Sequence, residues 1–434
     1  MSRETYCEGT ATYSSTGKTT IHAFDGDVTF IAATKNKWSG KENGITEHNY
    51  VAPEKKEEEA KKEAKESVKE IELLTVLDDG SANDLSGKLQ SGMILGKSYQ
   101  FKIKSYAKDT PKDKSVIKWM LKYHSLSEDK WVEIPLSLKG DNIKIKMNEE
   151  DMCGQFVYIR AYLNDPETEG ELKVWKHNRF RMLDRQQLVI ETDLRANISS
   201  AIDQGGSSLC GIAVVGYYLA RDQPKVYSKF ISDMHRRGIA IIESNNYIVE
   251  IDKDEHLIQY KQSDKKFPTD SFRTGKMLTA DFIFLVVIKD FLNNVFDYDP
   301  DDENVGEFVE GSTGLTLPGE VASIMKNIAN YSDVINDTNL ITSKWQSAST
   351  SAEKLQKKLT DGYKIGILID SDNFTKSFKS KLTVPTHWVG LLNITNDEKS
   401  KQISITVFTW SSIRVWTVSY DLFEDGYFGY VGGK

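Results

Sequence analysis

Hydrophobic and polar positions divide the chain into stretches of different period. Around Asp25-Gly26, Ile21 and Ala23 on one side and Val28, Phe30 and Ala32 on the other alternate with polar residues, the pattern of a hairpin. Residues 1–52 carry too few large apolar side chains for a core of their own. They are either a frayed leader or a docking segment that completes its sheet against another chain. The run Glu54-Lys55-Lys56-Glu57-Glu58-Glu59-Ala60-Lys61-Lys62-Glu63 within residues 53–70 has no apolar stripe. Glu57 with Lys61 and Glu58 with Lys62 are well-oriented i,i+4 pairs, so this stretch predicts a charged helical linker, a spacer or a simple solvated tether.

Period two dominates residues 71–183. Short apolar-alternating runs at 99–103, 117–121, 143–145 and 156–162, split by polar turns, predict a β-sandwich of immunoglobulin type serving as spacer or adaptor. From residue 184 the period lengthens. Helical spacing covers 211–221, 224–236, 280–294 and 321–329, and strand-like runs follow at 365–369, 388–394, 403–410 and 415–420. Helices first and an antiparallel sheet afterwards is an α+β order, expected to fill residues 184–434. The whole chain therefore reads as a multidomain α+β protein.

Composition narrows the partners. With 434 residues, 39% apolar and 28% charged, the chain supports two or three globular domains. A net charge of −8 and a pI near 5.6 exclude a phosphate-tracking basic stripe, so no nucleic acid is expected. Cys7, Cys153 and Cys210 form no disulfide framework, and Cys153 reads as a small buried hydrophobe. The N-terminus lacks a signal-peptide core, and the apolar run at 282–288 is far short of the roughly 20 residues a membrane span needs. Synthesis in the cytoplasm, with any export by a route that reads no cleavable signal, is the expectation. Asp297-Tyr298-Asp299-Pro300-Asp301-Asp302 starts like a calcium loop, but Asp302 stands where Gly is wanted and Phe308 where the bidentate Glu is wanted, so it is read as an acidic solvated loop. No cofactor and no metal are expected.

Candidate chemistry concentrates where a Gly/Ser-rich turn, Asp203-Gln204-Gly205-Gly206-Ser207-Ser208-Leu209, runs into an apolar helix at Cys210. Free amides and the positive end of the helix dipole favour a thiolate there, and the same amides can hold an oxyanion. Gln204 can add a side-chain donor. Among the histidines, His235 suits a helix C-terminal charge and His256 an exposed loop. His387 opens an apolar strand and is the candidate base. Thr409 or Ser411 could orient its ring.

Gln204 followed six residues later by Cys210, through a Gly-rich turn, resembles the signature of papain-like cysteine hydrolases, as does the order helix-borne Cys, then strand-borne His. In Phe408-Thr409-Trp410-Ser411, Trp410 aligns with the family's tryptophan and Phe408 falls where its orienting Asn belongs. The resemblance implies a papain-like α+β domain with Cys210 as nucleophile, His387 as base and Gln204 at the oxyanion. Residues 200–434 also resemble papain-like toxin domains of bacterial type VI secretion effectors, through Cys210-Gly211, Leu278-Thr279-Ala280-Asp281-Phe282-Ile283, Gly314-Leu315-Thr316-Leu317-Pro318-Gly319-Glu320, Gly362-Tyr363-Lys364-Ile365 and His387-Trp388-Val389. The first 183 residues resemble the leader and adaptor of Bacteroidota effectors. That resemblance implies an antibacterial toxin secreted into a target cell, a cognate immunity protein, docking of residues 1–52 on a secretion spike or tube, and a protein or peptidoglycan-peptide substrate. Two other readings stay open: a glutamine deamidase or transglutaminase using the same thiol, and a non-catalytic spike-cargo protein on a degenerate papain fold.

Overall fold

A computed structural model of the chain describes residues 66–251, 256–272, 274–293, 316–340, 343, 346–375 and 384–434. The expected leader at 1–52, most of the linker at 53–70 and the acidic loop at 297–308 lie outside the described residues. The protein is mixed α+β, with several antiparallel sheets and a β-rich N-terminal region. It divides into two compact units.

The smaller unit comprises residues up to Val76, Lys97–Met147 and Phe156–Val174. Val68–Leu73, Ser98–Tyr106 and Asn142–Lys146 form a three-stranded sheet, with Ser98–Tyr106 in the middle. In that strand Tyr99, Phe101 and Ile103 are buried while the residues between them are not, the alternation expected of a sheet wet on one face. A four-stranded sheet orders Lys130–Lys139, Lys118–Ser125, Gln155–Tyr162 and Gly170–Lys176. Trp119, fully buried, donates its indole N–H to the Gly140 carbonyl at 2.8 Å.

The larger unit takes Leu77–Gly96 and Asn148–Gln155 from the region expected to form the adaptor, and adds Trp175–Lys434. Its helices include α1 (Arg185–Asn197), α2 (Cys210–Asp222) and α3 (Pro224–Arg237). Beyond these come α4 (Pro318–Asn327) and α5 (Ala348–Thr360). Its main sheet uses β1 (Val334–Thr338), β2 (Lys364–Ile369), β3 (His387–Asp397), β4 (Gln402–Thr409), β5 (Ser412–Ser419) and β6 (Tyr427–Gly433). The strand order is β1-β6-β2-β3-β4-β5, antiparallel throughout.

Both faces of this sheet are covered. Leu368, Trp388, Phe408 and Val431 join the core built around α2, whose residues 210–220 are all buried. Ile367, Ile369, Val389 and Val407, their neighbours in sequence, join a second core with Leu355 of α5. The period of two thus sorts one strand into two cores. Tyr218 pins α2 to the sheet: its buried hydroxyl lies 3.0 Å from the Ile365 carbonyl and 2.8 Å from that of Leu391.

Three sequence expectations need correction here. The helix expected over 280–294 is interrupted: Thr279–Asp281 is α-helical, Phe282–Val286 is a π-turn, and Val287–Leu292 is α-helical again. Gly216 lies under this π segment, where a Cβ would sit 2.9 Å from the Phe284 ring. His235 is not a helix-end charge. It is 1% exposed, its Nε2 donates to the Leu183 carbonyl at 3.0 Å, and burial pulls its imidazole down to about 4, so it is neutral near pH 7. His256 is half-buried rather than exposed, 3.9 Å from the Asp290 carboxylate. Cys153 is fully buried, and burial raises its thiol pKa.

Candidate active site

The turn before α2 is built around one glycine and one carboxylate. Gly205 has φ of +67°, and a Cβ there would lie 2.3 Å from the Thr269 carbonyl oxygen, so a side chain is excluded twice over. Asp203 accepts from the Gly205 amide at 2.8 Å, from the Ser271 amide at 3.1 Å and from the Ser271 hydroxyl. Gln204 turns one amide proton onto the Ser207 carbonyl at 2.9 Å, and the Ser207 hydroxyl returns a bond to the Gln204 carbonyl. As placed, the Gln204 side chain braces its own turn, and its second amide proton is the one available to a ligand.

α2 begins at Cys210. Leu209 offers no side-chain cap, and the first bond of the helix runs from the Ala213 amide to the Leu209 carbonyl. The amides of Cys210, Gly211 and Ile212 precede the first bond of the helix and point out of its N-terminal end. Gly211 permits the close approach of Thr316: a Cβ at 211 would stand 2.7 Å from the Thr316 methyl. Thr316 ties the region together. Its hydroxyl reaches the Ser208 carbonyl at 3.4 Å, and its carbonyl accepts from the Trp388 indole at 2.9 Å.

The start of β3 meets this helix end. The Trp388 backbone amide donates to Cys210 Sγ at 3.3 Å. Trp388 is paired with Leu368 of β2, whereas the ladder between β3 and β4 begins only at Gly390 with Phe408. Cys210 is 2% exposed and His387 5% exposed.

His387 is held by two contacts. Its Nε2 lies 2.7 Å from Thr409 Oγ1, and its ring stacks on Trp410 at 4.4 Å with planes 9° apart. Burial pulls the imidazole down to about 3, so it is neutral near pH 7 and its protonated form is disfavoured in the closed site. Strand alternation places His387 on the face of Val389 and Thr409, whereas Trp388 faces α2. Imidazole and sulfur therefore do not share a sheet face; they flank the first two residues of β3. Trp410 and Ser411 have φ of 42° and 56° and form the two-residue turn closing β4 onto β5. A bulky residue in that region is uncommon, and here it lays the indole over the imidazole. Of the two candidate orienters, Thr409 contacts the ring. The Ser411 hydroxyl is buried and makes no hydrogen bond among the described residues.

Several supporting residues were not singled out by sequence reasoning. Asp281, fully buried, receives both ends of the Arg195 fork, with Nη2 to Oδ2 at 2.5 Å, and accepts the Asp203 amide at 3.2 Å. Glu191, one turn before Arg195 on α1, accepts from Thr279 Oγ1 at 2.5 Å and from the Ala280 amide at 3.1 Å. Burial raises the Asp281 carboxyl pKa against the pull of Arg195. The spacing of Glu191 and Arg195 on one helix face was the available signal.

Two grooves, of about 430 and 920 Å³, open beside α5 and between Leu317–Glu320 and Asn336–Leu340; neither is lined by Cys210 or His387. Among the described residues no group of three or more His, Cys, Asp or Glu side chains is placed to hold a metal ion, and no helix is long and apolar enough to cross a membrane. No family model matches the chain, and no curated protein matches it either.

Proposed function

We propose that residues 184–434 form a papain-like thiol hydrolase in which Cys210 attacks an amide carbonyl and His387 serves as its base. The observation that carries this reading is the Trp388 amide on the Cys210 sulfur, which fixes the thiol to the residue next to His387. A hydrogen bond to sulfur strengthens when the sulfur is charged, so it favours the thiolate, as does the positive end of the α2 dipole.

In the resting site the imidazole is neutral. The proposed step takes the tautomer in which Nε2 donates to Thr409, and it requires Nδ1 to swing round the start of β3 to the thiol, whose proton it takes as the sulfur attacks. The carbonyl oxygen gathers negative charge beside the Cys210 amide and the second Gln204 amide proton. The leaving amine takes the proton from His387, and water then releases the acyl group. Thr409 replaces the amide side chain of the papain pattern; its hydroxyl orients the ring without entering bond making. The Trp410 indole, stacked flat on the imidazole at 4.4 Å, holds the plane of the ring.

The smaller β unit is proposed as an immunoglobulin-like adaptor, and the whole chain as a type VI secretion-type antibacterial effector with an immunity partner. Support for those two statements is the motif resemblance of residues 1–183 and 200–434. The substrate is a protein or a peptidoglycan peptide.

Iodoacetamide labelling and a toxicity or cleavage assay on wild type, Cys210→Ala and His387→Ala test the hydrolase reading. Loss of both signals in Cys210→Ala supports it. Undiminished toxicity or cleavage in Cys210→Ala removes it. Intact mass of treated target proteins separates fragments from the roughly one-dalton gain of deamidation. The near-complete burial of Cys210 and His387 favours a second reading, a binding protein that keeps the scaffold without turnover. A Cys210 inert to small alkylating agents would select it.

A further inference from the structure

Three carboxylates and one guanidinium, all buried, stand behind the nucleophile turn: Glu191, Asp203, Asp281 and Arg195 are each 5%, 7%, 0% and 5% exposed. The proposed bond making uses none of them. Their contacts run in one direction. Arg195 on α1 forks onto Asp281, and Asp281 accepts the backbone amide of Asp203. The Asp203 carboxylate then turns forward and accepts three donors, the Gly205 amide, the Ser271 amide and the Ser271 hydroxyl.

Gly205 is the residue after Gln204 and has positive φ, so its amide direction decides where the Gln204 side chain and the following turn point. The 269–271 segment packs against it from outside, with the Thr269 carbonyl where a Cβ would be. We propose that Asp203 is a positioning residue for acyl transfer: it holds the Gln204–Ser208 turn in the shape that aims amide donors at the developing oxyanion, and Arg195 with Asp281 holds Asp203.

This inference rests on the hydrolase reading, and it makes a distinction that reading does not. Alkylation of Cys210 by iodoacetamide is a displacement at carbon: the S–C bond forms, iodide leaves, and no carbonyl oxygen becomes charged. Acylation by p-nitrophenyl acetate passes through an oxyanion. The S–C bond forms, the bond between the acyl carbon and the ester oxygen breaks, and the thiol proton passes through His387 to the departing aryl oxide. Asp203 acts on the second reaction and not on the first.

The test uses the full chain, wild type and Asp203→Asn, with both reagents read by mass at the Cys210 peptide and folding checked by thermal melting. Asn keeps the size of the side chain and one acceptor oxygen, but cannot accept all three donors. Complete loss of an oxyanion donor costs about 100- to 1,000-fold, so misaligning the turn is expected to slow acylation by about 10-fold or more. Alkylation is expected to stay within about twofold, because the α2 amides and the Trp388 bond are untouched. Ser271→Ala removes one of the three donors and is expected to fall between. Equal slowing of both reactions, or unchanged acylation, in a folded Asp203→Asn overturns the proposal alone. A wild-type Cys210 inert to both reagents removes the hydrolase reading and this proposal with it.

Discussion

The backbone amide of Trp388 and the sulfur of Cys210 lie 3.3 Å apart although 178 residues separate them in sequence. The contact joins the first residue of α2 to the start of β3, where Trp388 is in register with Leu368 of β2 and the pairing with β4 has not begun. Replacing Cys210 by Ala strands a buried N–H, which costs about 1–3 kcal/mol of folding stability. Cys210→Ser keeps an acceptor and should lose less. Both variants should lower acyl transfer by at least about 1,000-fold, as removal of a nucleophile does. Urea unfolding of the two variants beside wild type, with rates from the chromogenic ester, checks both halves.

Thr409 gives a second prediction. Its hydroxyl is the hydrogen-bond partner of His387 Nε2, and both groups are buried. Thr409→Val keeps the shape and removes the partner. Stability is expected to fall by about 1–3 kcal/mol, because the ring nitrogen is left buried and unmatched. The maximal acylation rate is expected to fall by about 10-fold or more while the apparent affinity for the ester changes little, since the loss is one of ring orientation. Thr409→Ser, which restores the hydroxyl, should recover most of the rate. A Val variant with wild-type kinetics would show that the ring needs no orienter.

Much of the larger unit was legible from period alone. The start of α2 at Cys210 follows from a Gly/Ser turn meeting an apolar run, and β2 to β5 follow from alternation. What periodicity could not reveal is anything joined across the chain. Arg195 and Asp281 are 86 residues apart, and Asp203 and Asp281 are 78 apart. Each looks like an ordinary surface charge until burial is known. The choice between Thr409 and Ser411 depended on positive φ at Trp410 and Ser411, and neither residue carries the Asn or Gly signature of such a turn. His235 was misread because Arg236 and Arg237 beside it pointed to a solvated helix end, whereas the helix turns that residue inward onto the Leu183 carbonyl. The π-turn at Phe282–Val286 has no local sequence mark, since every residue in it is buried and apolar.

Buried imidazoles set the response to acid. An ordinary histidine titrates near 6.5, while burial holds His387 at about 3 and His235 at about 4. Below pH 6.5 the unfolded chain binds protons that the folded chain refuses, so their contribution is complete above that value. It is lost progressively as the pH falls towards 4 and then 3. Asp281 acts in the opposite sense, because its raised carboxyl takes a proton more readily in the folded state. His177, whose imidazole pKa is also lowered by burial, adds to the loss, while Glu150 and Asp370, raised by burial, act in the same sense as Asp281. Between about pH 7.5 and pH 5 each imidazole should remove about 2 kcal/mol, at 1.36 kcal/mol per unit below 6.5. Urea unfolding at the two pH values measures this, and His235→Gln should reduce the stability lost between them by about 2 kcal/mol whatever its effect at neutral pH.

Gly205 permits a sharper separation of fold from site. At φ of +67°, and with the Thr269 carbonyl oxygen 2.3 Å from where a Cβ would stand, Ala cannot be accommodated without moving backbone. The backbone that moves is either the Gln204–Ser208 turn or the 269–271 segment, and both carry donors to the Asp203 carboxylate. Gly205→Ala should therefore break at least one of those bonds, at a cost of about 1–3 kcal/mol for the conformation and more for the contact. The α2 core is formed by other residues, so the protein should still fold. Acylation of Cys210 should fall further than in Asp203→Asn, because the turn is displaced rather than loosened. Hydrogen exchange should quicken in the peptides spanning 203–209 and 269–272 and stay unchanged in β2 and β3. Unchanged exchange in both loop peptides would mean that the turn tolerates a side chain at this position, and that its shape is not set by the glycine.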